Sequence, residues 1–504
     1  MSKNYYITTP IYYPSAKPHM GHAYSSIISD FFARLKKIQG YEVFFLTGTD
    51  EHGQKVQQAA EKRNVSPKDH VDEFVQRFQN IWQKLNISHD DFIRTTESRH
   101  TNRVKDVLNS LFEKGDIYMA EYEGLYSVSE ERFITEKEAE EGSFREIKKI
   151  KEKNYFFKMS NYQQKLIDHI KNNPNFILPN KRANEVLGFL KQPLNDLCIS
   201  RPKSRLSWGI EIPFDTDYVT YVWFDALLNY ITAIGYGNDD EKFNNWWPAS
   251  YHLIGKDILT THSVYWITML MAMDVELPKS IFAHGWWLTD DEKMSKSLGN
   301  VIRPLDLADQ YGVDPLRYFL MRDMVLGQDA SYSFDAFVGR YNADLANDFG
   351  NLVNRVTILI RKHFDGIVPE PGEFQDEENN ILDFTNNCAN NVYDAIQKLK
   401  IHDAIESIMS VFRNLNKYLE LREPWKKVKT NKEPGGSAAT CLYVALNILY
   451  KNAILLHPVM PEKVGQILEM IGQECPKNIF KVELIPSGTT LGAGKSPFPR
   501  IDVK

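Results

Sequence analysis

Residues 5–22 read Tyr5-Tyr6-Ile7-Thr8-Thr9-Pro10-Ile11-Tyr12-Tyr13-Pro14-Ser15-Ala16-Lys17-Pro18-His19-Met20-Gly21-His22, and the reading of this stretch decides the fold. The β-branched and aromatic run 5–13 has the composition of a strand, and 14–21, with Pro14, Pro18 and Gly21, that of a loop. Beyond it Ile27, Ile28, Phe31, Phe32, Leu35 and Ile38 recur with the 3.6-residue period of a helix over 22–38. Gly40 stops that helix, and 41–46 form a second apolar strand ending in Thr47-Gly48-Thr49-Asp50-Glu51-His52-Gly53. Strand, helix and strand in this order predict a parallel sheet, which takes its ligands at the carboxyl ends of its strands.

A second unit of the same kind is expected much later, with a strand at 251–254, a helix at 257–273 and a strand at 280–287. The two halves of one sheet are thus interrupted. The stretch 115–215 between them carries short strand-like runs, turn residues and a basic segment (Lys148, Lys149, Lys151, Lys153), as an inserted domain with a small core would. From 346 onward the pattern is helical, at 346–363, 380–400, 403–421, 438–457 and 461–471, which predicts a bundle. The last thirty or so residues, rich in Gly, Pro and Lys, are expected to pack loosely.

At 504 residues the chain exceeds what one core organises. A hydrophobic share of 43% and a charged share of 25% are those of an ordinary soluble protein, and no apolar run approaches the roughly 18 residues of a membrane span. Met1-Ser2-Lys3-Asn4 passes at once into the first strand, so a cytoplasmic location is expected, or else a presequence already removed. The cysteines, Cys198, Cys388, Cys441 and Cys475, are too scattered for a metal knuckle and read as reduced, structural thiols. A net charge of −6 neither suggests nor excludes nucleic acid, since phosphate binding depends on local basic surface.

Two short loops carry the chemistry. His19-Met20-Gly21-His22 sets two imidazoles around a glycine at a helix N-terminus, where free N–H groups and the helix dipole receive phosphate oxygens. Read alone, the histidines are better explained as helix caps or solvated side chains. Lys293-Met294-Ser295-Lys296-Ser297 offers two ammonium groups and two hydroxyls on a loop with little to anchor it, suited to a pyrophosphate leaving group. Alone it is a solvated turn; the pairing with the first loop favours a nucleotide site.

Those loops, placed on the two halves of an interrupted parallel sheet, resemble the class I aminoacyl-tRNA synthetases, and within them the branch specific for methionine. Pro10-Ile11-Tyr12-Tyr13-Pro14, Gly48-Thr49-Asp50-Glu51-His52-Gly53, Tyr221-Val222-Trp223-Phe224-Asp225-Ala226, Gly255-Lys256-Asp257-Ile258, His262-Ser263-Val264-Tyr265-Trp266 and His284-Gly285-Trp286-Trp287 carry the likeness, with 346–355 and 423–425 in the helical part. The resemblance implies a Rossmann-like parallel sheet split by an inserted connective domain and followed by an all-α anticodon-binding bundle. It implies the boundaries 1–114 and 216–288 for the two catalytic halves, 115–215 for the insert, 289–345 for the lysine loop and stem-contact region, and 346–504 for the bundle and tail.

The implied reaction has two steps: methionine's carboxylate attacks the α-phosphate of ATP to give methionyl-adenylate, and a terminal ribose hydroxyl of tRNA(Met), initiator or elongator, takes the methionyl group. His19, Gly21, His22, Gly255, Asp257, Lys293, Ser295 and Lys296 are implied for ATP, with His19, His22, Lys293 and Lys296 acting in catalysis and Mg²⁺ carried on the phosphates. Ile11, Tyr13, Asp50, Trp223, Ala226, Tyr230, Ile258, His262 and Trp266 are implied for methionine: Asp50 for its ammonium, the rings for its thioether, Tyr13 and His262 as sources of polar hydrogens near the sulfur. In isolation each aromatic is better explained by core packing, and His262 by a satisfied core histidine. Asn351, Arg355 and Trp425 match anticodon-reading positions, and Arg422, Lys426, Lys427 and Lys429 are candidates for phosphates.

Leu227 and Thr261 stand where some relatives of this kind carry Pro and Phe. The stretch 126–131 lacks the Cys-x-x-Cys pair that many carry in the insert, so no protein-bound zinc is expected. A monomer is expected. The rival readings are a leucine, isoleucine or valine enzyme, which needs a larger insert, a cysteine enzyme, which needs zinc, and a tRNA-binding protein without catalysis, against which both intact loops argue.

Overall fold

The first strand expected from the sequence is β1 (Asn4–Thr8) and the second is β2 (Glu42–Thr49). The computed structural model describes residues 3–14, 20–127, 132–134, 139, 147–289, 292–293, 304–431, 433–494 and 497–502. After β3 (Asp91–Arg94) come β4 (Ile117–Ser127), β5 (Arg132–Ile134), β6 (Ile147–Phe157), β7 (Ile177–Leu178), β8 (Leu197–Cys198), β9 (Ser200–Pro202), β10 (Glu211–Ile212), β11 (Asp215–Thr220), β12 (Tyr251–Gly255) and β13 (Ile281–His284). The central sheet has the order β3-β2-β1-β12-β13-β7, and β1/β12, β12/β13, β13/β7 and β2/β3 pair in parallel. The early and late βαβ units therefore share one sheet, joined where β1 meets β12. Strands between Ile117 and Thr220 build two smaller sheets, β5-β4-β6-β8 and β10-β11-β9, and lend β7 to the edge of the central one, so the second small sheet runs past the boundary expected at 215. Their buried side chains, such as Phe157, Leu166 and Ile199, belong to the same apolar core as Val222, Trp266 and Ile281, so the described residues of this stretch share the core of the central sheet.

By packing, the chain forms two compact units, Met1–Pro18 with Val43–His284 and His19–Glu42 with Gly285–Lys504. The helix Met20–Ile38 buries the predicted stripe of Ile27, Ile28, Phe31, Phe32 and Leu35 and is counted with the second unit. There Asp30 meets Arg317 at 2.6 Å, neither side chain exposed, and Arg317 also donates to the carbonyls of Val459 (2.9 Å) and Pro458 (3.0 Å). A buried ion pair survives desolvation only with its remaining groups satisfied in this way.

The expected helices are Asn351–His363, Asp376–Gln397, Ile401–Arg422, Ser437–Leu456 and Pro461–Met470. Contrary to the expectation from the sequence, Ser437–Leu456 is long and apolar enough to span a membrane, but 83% of its apolar window is buried, as a helix apolar on all sides is at the centre of a bundle. Its polar interruptions are satisfied internally: Asn447 and Asn452 donate to the carbonyls of Tyr443 and Ile448 at 3.0 and 2.9 Å. The tail is also better anchored than expected. Val368 N–H donates to Thr489 O and Leu491 N–H to Gly366 O, both at 2.8 Å, Asn342 exchanges two bonds with Ile501, and Phe498 is buried.

Candidate functional site

The residues expected to enclose the amino acid are assembled by backbone pairing first. Gly48 has no alternative, because a Cβ there would lie 2.0 Å from the carbonyl oxygen of Ile93 on the neighbouring strand. Where β2 ends, Tyr12 N–H donates to Gly48 O and Asp50 N–H to Tyr12 O, each at 3.0 Å. Segments 11–13 and 48–50 thus run side by side, which brings Ile11, Tyr13 and the buried Asp50 together. The Lys55 ammonium sits 5.3 Å from the centre of the Tyr13 ring.

The facing wall comes from three short helices. Trp223 and Ala226 lie on Val222–Leu227 and Tyr230 on Asn229–Thr232. Ile258, His262 and Trp266 lie on the segment expected as one helix at 257–273. It is composite: a 3₁₀ turn (Lys256–Ile258), a π-helical stretch (Thr261–Tyr265) and an α-helix (Trp266–Ala272). Single π stretches recur at functional sites because they re-aim side chains, and this one carries His262. The rings cluster tightly: Trp223 and His262 are 6.0 Å apart edge to face, Tyr230 and His262 5.8 Å, Tyr230 and Trp266 5.8 Å.

Hydrogen bonds fix the tautomers. His262 Nδ1 lies 2.9 Å from Ile258 O, so it carries the proton, and Nε2 accepts from the Tyr230 hydroxyl at 2.7 Å. The Trp266 indole N–H donates to His252 Nε2 at 3.2 Å, so His252 Nδ1 carries its proton and points at Thr8 Oγ1, 2.8 Å away. Burial pushes the pKa of His262 down to about 4 and that of His252 well below the usual imidazole value, so both rings are neutral. Burial also raises the Tyr230 phenol, and Tyr12 and the Asp50 carboxylate add to the rise. This corrects the expectation that His262 supplies a hydrogen to the sulfur: its one N–H is taken by Ile258. In this arrangement the ring accepts from Tyr230 and has no proton left to offer.

A second cluster escaped the sequence reading. The carboxylate of Asp225, fully buried between Trp223 and Ala226 in sequence, bonds His52 Nδ1 and His100 Nε2, both at 2.7 Å, and His100 Nδ1 reaches Thr232 Oγ1 at 2.8 Å. Burial alone raises this carboxyl's pKa; the two imidazoles outweigh it and hold the group below the ordinary value. Glu51, also buried, accepts from Thr49 Oγ1 (2.7 Å), Thr96 Oγ1 (2.5 Å) and Arg94 (2.6 and 3.0 Å). Trp223 and Ala226 flank Asp225, and Asp50 precedes Glu51 and His52, so this cluster ties together the two groups of residues expected around the amino acid. An acidic residue inside the apolar run 221–226 was the available signal.

Of the residues expected at the nucleotide, Gly255 is buried at the end of β12, where a Cβ would stand 2.6 Å from Asp257 Oδ1; Asp257 itself is exposed. Gly21 and His22 open the helix Met20–Ile38, half-buried, with no acidic residue in its first turn to oppose an anion. His19, Ser295 and Lys296 lie outside the described residues, and Lys293 is placed by its backbone in the two-residue strand Glu292–Lys293. Among the described residues no group of three or more His, Cys, Asp or Glu is arranged to hold a metal.

In the second unit Asn351 and Arg355, one turn apart on Asn351–His363, and Trp425, on the short helix Pro424–Lys427, line one cavity of about 790 Å³. The Arg355 guanidinium lies 5.0 Å from the indole centre, over a Trp425 that is half-buried rather than part of the core. Arg422 is not available to phosphate as expected: it is buried and bound to Glu378 (3.1 Å) and Gln375 (3.2 Å). Lys426 is exposed, in a surface pair with Glu423.

Comparison with known proteins bears directly on these sites. The family of tRNA synthetases class I (M) matches residues 5–149 and 141–357, and the anticodon binding domain of methionyl tRNA ligase matches 368–502. The methionine–tRNA ligase of Clostridium acetobutylicum is 44% identical over 509 residues, 99% of this chain and 79% of its own length; that of Listeria innocua is 43% identical over 523 residues, 99% and 78%. The structure of Mycobacterium tuberculosis methionyl-tRNA synthetase in complex with methionyl-adenylate superposes with a TM-score of 0.94 at 42% identity, covering 99% of this chain and 100% of that one. The apo form of the same enzyme gives 0.87 at 39% identity, covering 100% and 99%.

Proposed function

Because the chain belongs to the methionine–tRNA ligases of class I, we propose a residue-level account of how it performs their reaction. The chain activates L-methionine with ATP to methionyl-adenylate and transfers the methionyl group to tRNA. In the first step a methionine carboxylate oxygen bonds to the α-phosphorus while the bond from that phosphorus to the bridging oxygen breaks, and pyrophosphate leaves. In the second, a ribose hydroxyl attacks the carbonyl carbon, loses its proton, and AMP leaves. No side chain has to become a nucleophile, so positioning and charge stabilisation carry the rate.

The observation that carries the account is the ring of Trp223, Tyr230, His262 and Trp266 with both nearby imidazoles neutral, beside a buried carboxylate at Asp50. A cationic His262 would disfavour an apolar thioether; a neutral one packs against it. Asp50 pairs with the substrate ammonium, and Ile11, Tyr13, Ala226 and Ile258 complete the enclosure. His19, Gly21 and His22 hold the triphosphate from a helix N-terminus, Lys293, Ser295 and Lys296 neutralise the departing pyrophosphate, and Gly255 and Asp257 take the nucleoside. ATP enters with Mg²⁺ on its phosphates, so chelation should abolish the first step. Asn351, Arg355 and Trp425 read the anticodon of tRNA(Met).

The same account assigns 1–114 and 216–288 to catalysis, 115–215 to the connective insert, 289–345 to the lysine loop and stem contacts, and 346–504 to the anticodon. It has the chain working singly, which light scattering checks, in the cytoplasm, which fractionation checks. The decisive assay is pyrophosphate exchange into ATP with each amino acid in turn. Methionine alone should support it; exchange with leucine, isoleucine or valine in its place overturns the pocket assignment.

A further inference from the structure

The cleft that holds Arg355 and Trp425 contains a side chain whose geometry is more constrained than either. Asn416, half-buried on the helix Ile401–Arg422, donates through Nδ2 to Asp348 O at 2.9 Å and to Phe412 O at 3.1 Å. Both amide hydrogens are thereby used, which leaves Oδ1 facing the Arg355 guanidinium, whose Nη1 lies 3.2 Å away. The opposite orientation is excluded, since it would set an NH₂ group against the guanidinium and a carbonyl oxygen against two others. Arg355's other partner, Glu420, is 3.8 Å away and 68% exposed, too loose to fix a long side chain. Asp348 lies in a π-helical stretch, Tyr341–Gly350, that runs straight into the helix bearing Asn351 and Arg355. One carboxamide thus joins that stretch, its own helix and the arginine.

We propose that Asn416 is a positioning residue for anticodon reading, which locks the Arg355 guanidinium over the Trp425 indole before tRNA arrives. The proposal rests on the reading that Arg355 contacts the anticodon. Preorganisation matters here because an arginine loses several rotors on binding, and a side chain already ordered loses less. Asn416 also lines the cleft, so an effect through Arg355 is separated from a direct contact by its dependence on Arg355.

The test is a double-mutant cycle in the full-length chain, with Asn416→Ala, Arg355→Ala and the pair, read by kcat/KM for tRNA in aminoacylation and by tRNA-independent pyrophosphate exchange. Asn416→Ala should lower kcat/KM for tRNA about tenfold and leave exchange unchanged, and in the Arg355→Ala background it should have no further effect within about twofold. An Asn416→Ala defect of undiminished size when Arg355 is already gone overturns the proposal. If Arg355→Ala charges normally, the anticodon reading of Arg355 itself fails. If Arg355→Ala is impaired but Asn416→Ala is not, only the positioning role fails.

Discussion

Replacing Asp225 with Asn tests the cluster that joins the two walls of the proposed amino-acid pocket. The carboxylate is fully buried and accepts two imidazole bonds at 2.7 Å. A hydrogen bond to a charged group contributes about 1.5–3 kcal/mol, so the pair contributes roughly 3–6 kcal/mol. Asn preserves the shape and keeps one acceptor, and the second imidazole can turn its bare nitrogen toward the new NH₂ group. What is lost is the charge, about half of the total, or roughly 1.5–3 kcal/mol. At about 2–4 °C per kcal/mol for a unit of this size, the melting temperature should fall by roughly 3–12 °C. Asp225→Ala should cost more, because two buried imidazole N–H groups are then left without an acceptor beside a cavity. Thermal unfolding followed by tryptophan fluorescence reads the stability, and methionine dependence of pyrophosphate exchange reads the pocket. The KM for methionine should rise about tenfold, equivalent to 1.4 kcal/mol of the loss appearing as misplacement of Trp223 and Asp50. A variant that melts with the wild type and binds methionine equally well would refute the reasoning, since no charge would then be bridging the walls.

Trp425→Ala should reduce tRNA charging by about 5- to 150-fold, the equivalent of roughly 1–3 kcal/mol for one stacked base, with exchange near normal; a comparable exchange defect would make Trp425 a structural residue instead. The pKa of His262, lowered from 6.5 to about 4, makes the unfolded chain the stronger proton binder between those values. Stability should therefore fall as pH drops from about 6.5 toward 4, by about 3 kcal/mol from this group, and urea titrations at several pH values in that window should lose most of this slope in His262→Gln. A flat wild-type profile contradicts the neutral assignment. Lys293→Ala should slow adenylate formation by about 10²-fold in single-turnover measurements while methionine binding stays unchanged, and equal losses in both count against its contact tightening in the transition state.

The opening βαβ unit was legible because each of its elements has an unbroken period, from Tyr5 through the stripe Ile27 to Ile38 and on to Leu46. The helices of the second unit were legible for the same reason. The two-residue strand β7 was not, since Ile177 and Leu178 become a strand only by pairing with Ile281 and Phe282. Nor were the π-helical stretches, whose wider turn leaves no mark on the spacing of apolar residues, although one of them sets where His262 points. Asp225, His52 and His100 are separated by 173 and 125 residues, so only the fold reveals that one carboxylate serves both rings. The pocket aromatics were placed by resemblance, and the tautomers that remove His262 as a donor needed the partners at Ile258 and Tyr230.

The meeting of β1 and β12 at the middle of the central sheet has a consequence for biosynthesis. Thr8 and His252 are bonded across 244 residues of chain, and at about 5–20 residues per second the ribosome needs roughly 12–50 s to deliver the second after the first. Throughout that interval any half-sheet built from β1, β2 and β3 presents an open, apolar edge at β1, the kind of edge on which other chains pair. Nascent chains halted before residue 251 should accordingly be captured by chaperones or precipitate, whereas chains released after β13 has emerged can close the sheet unaided.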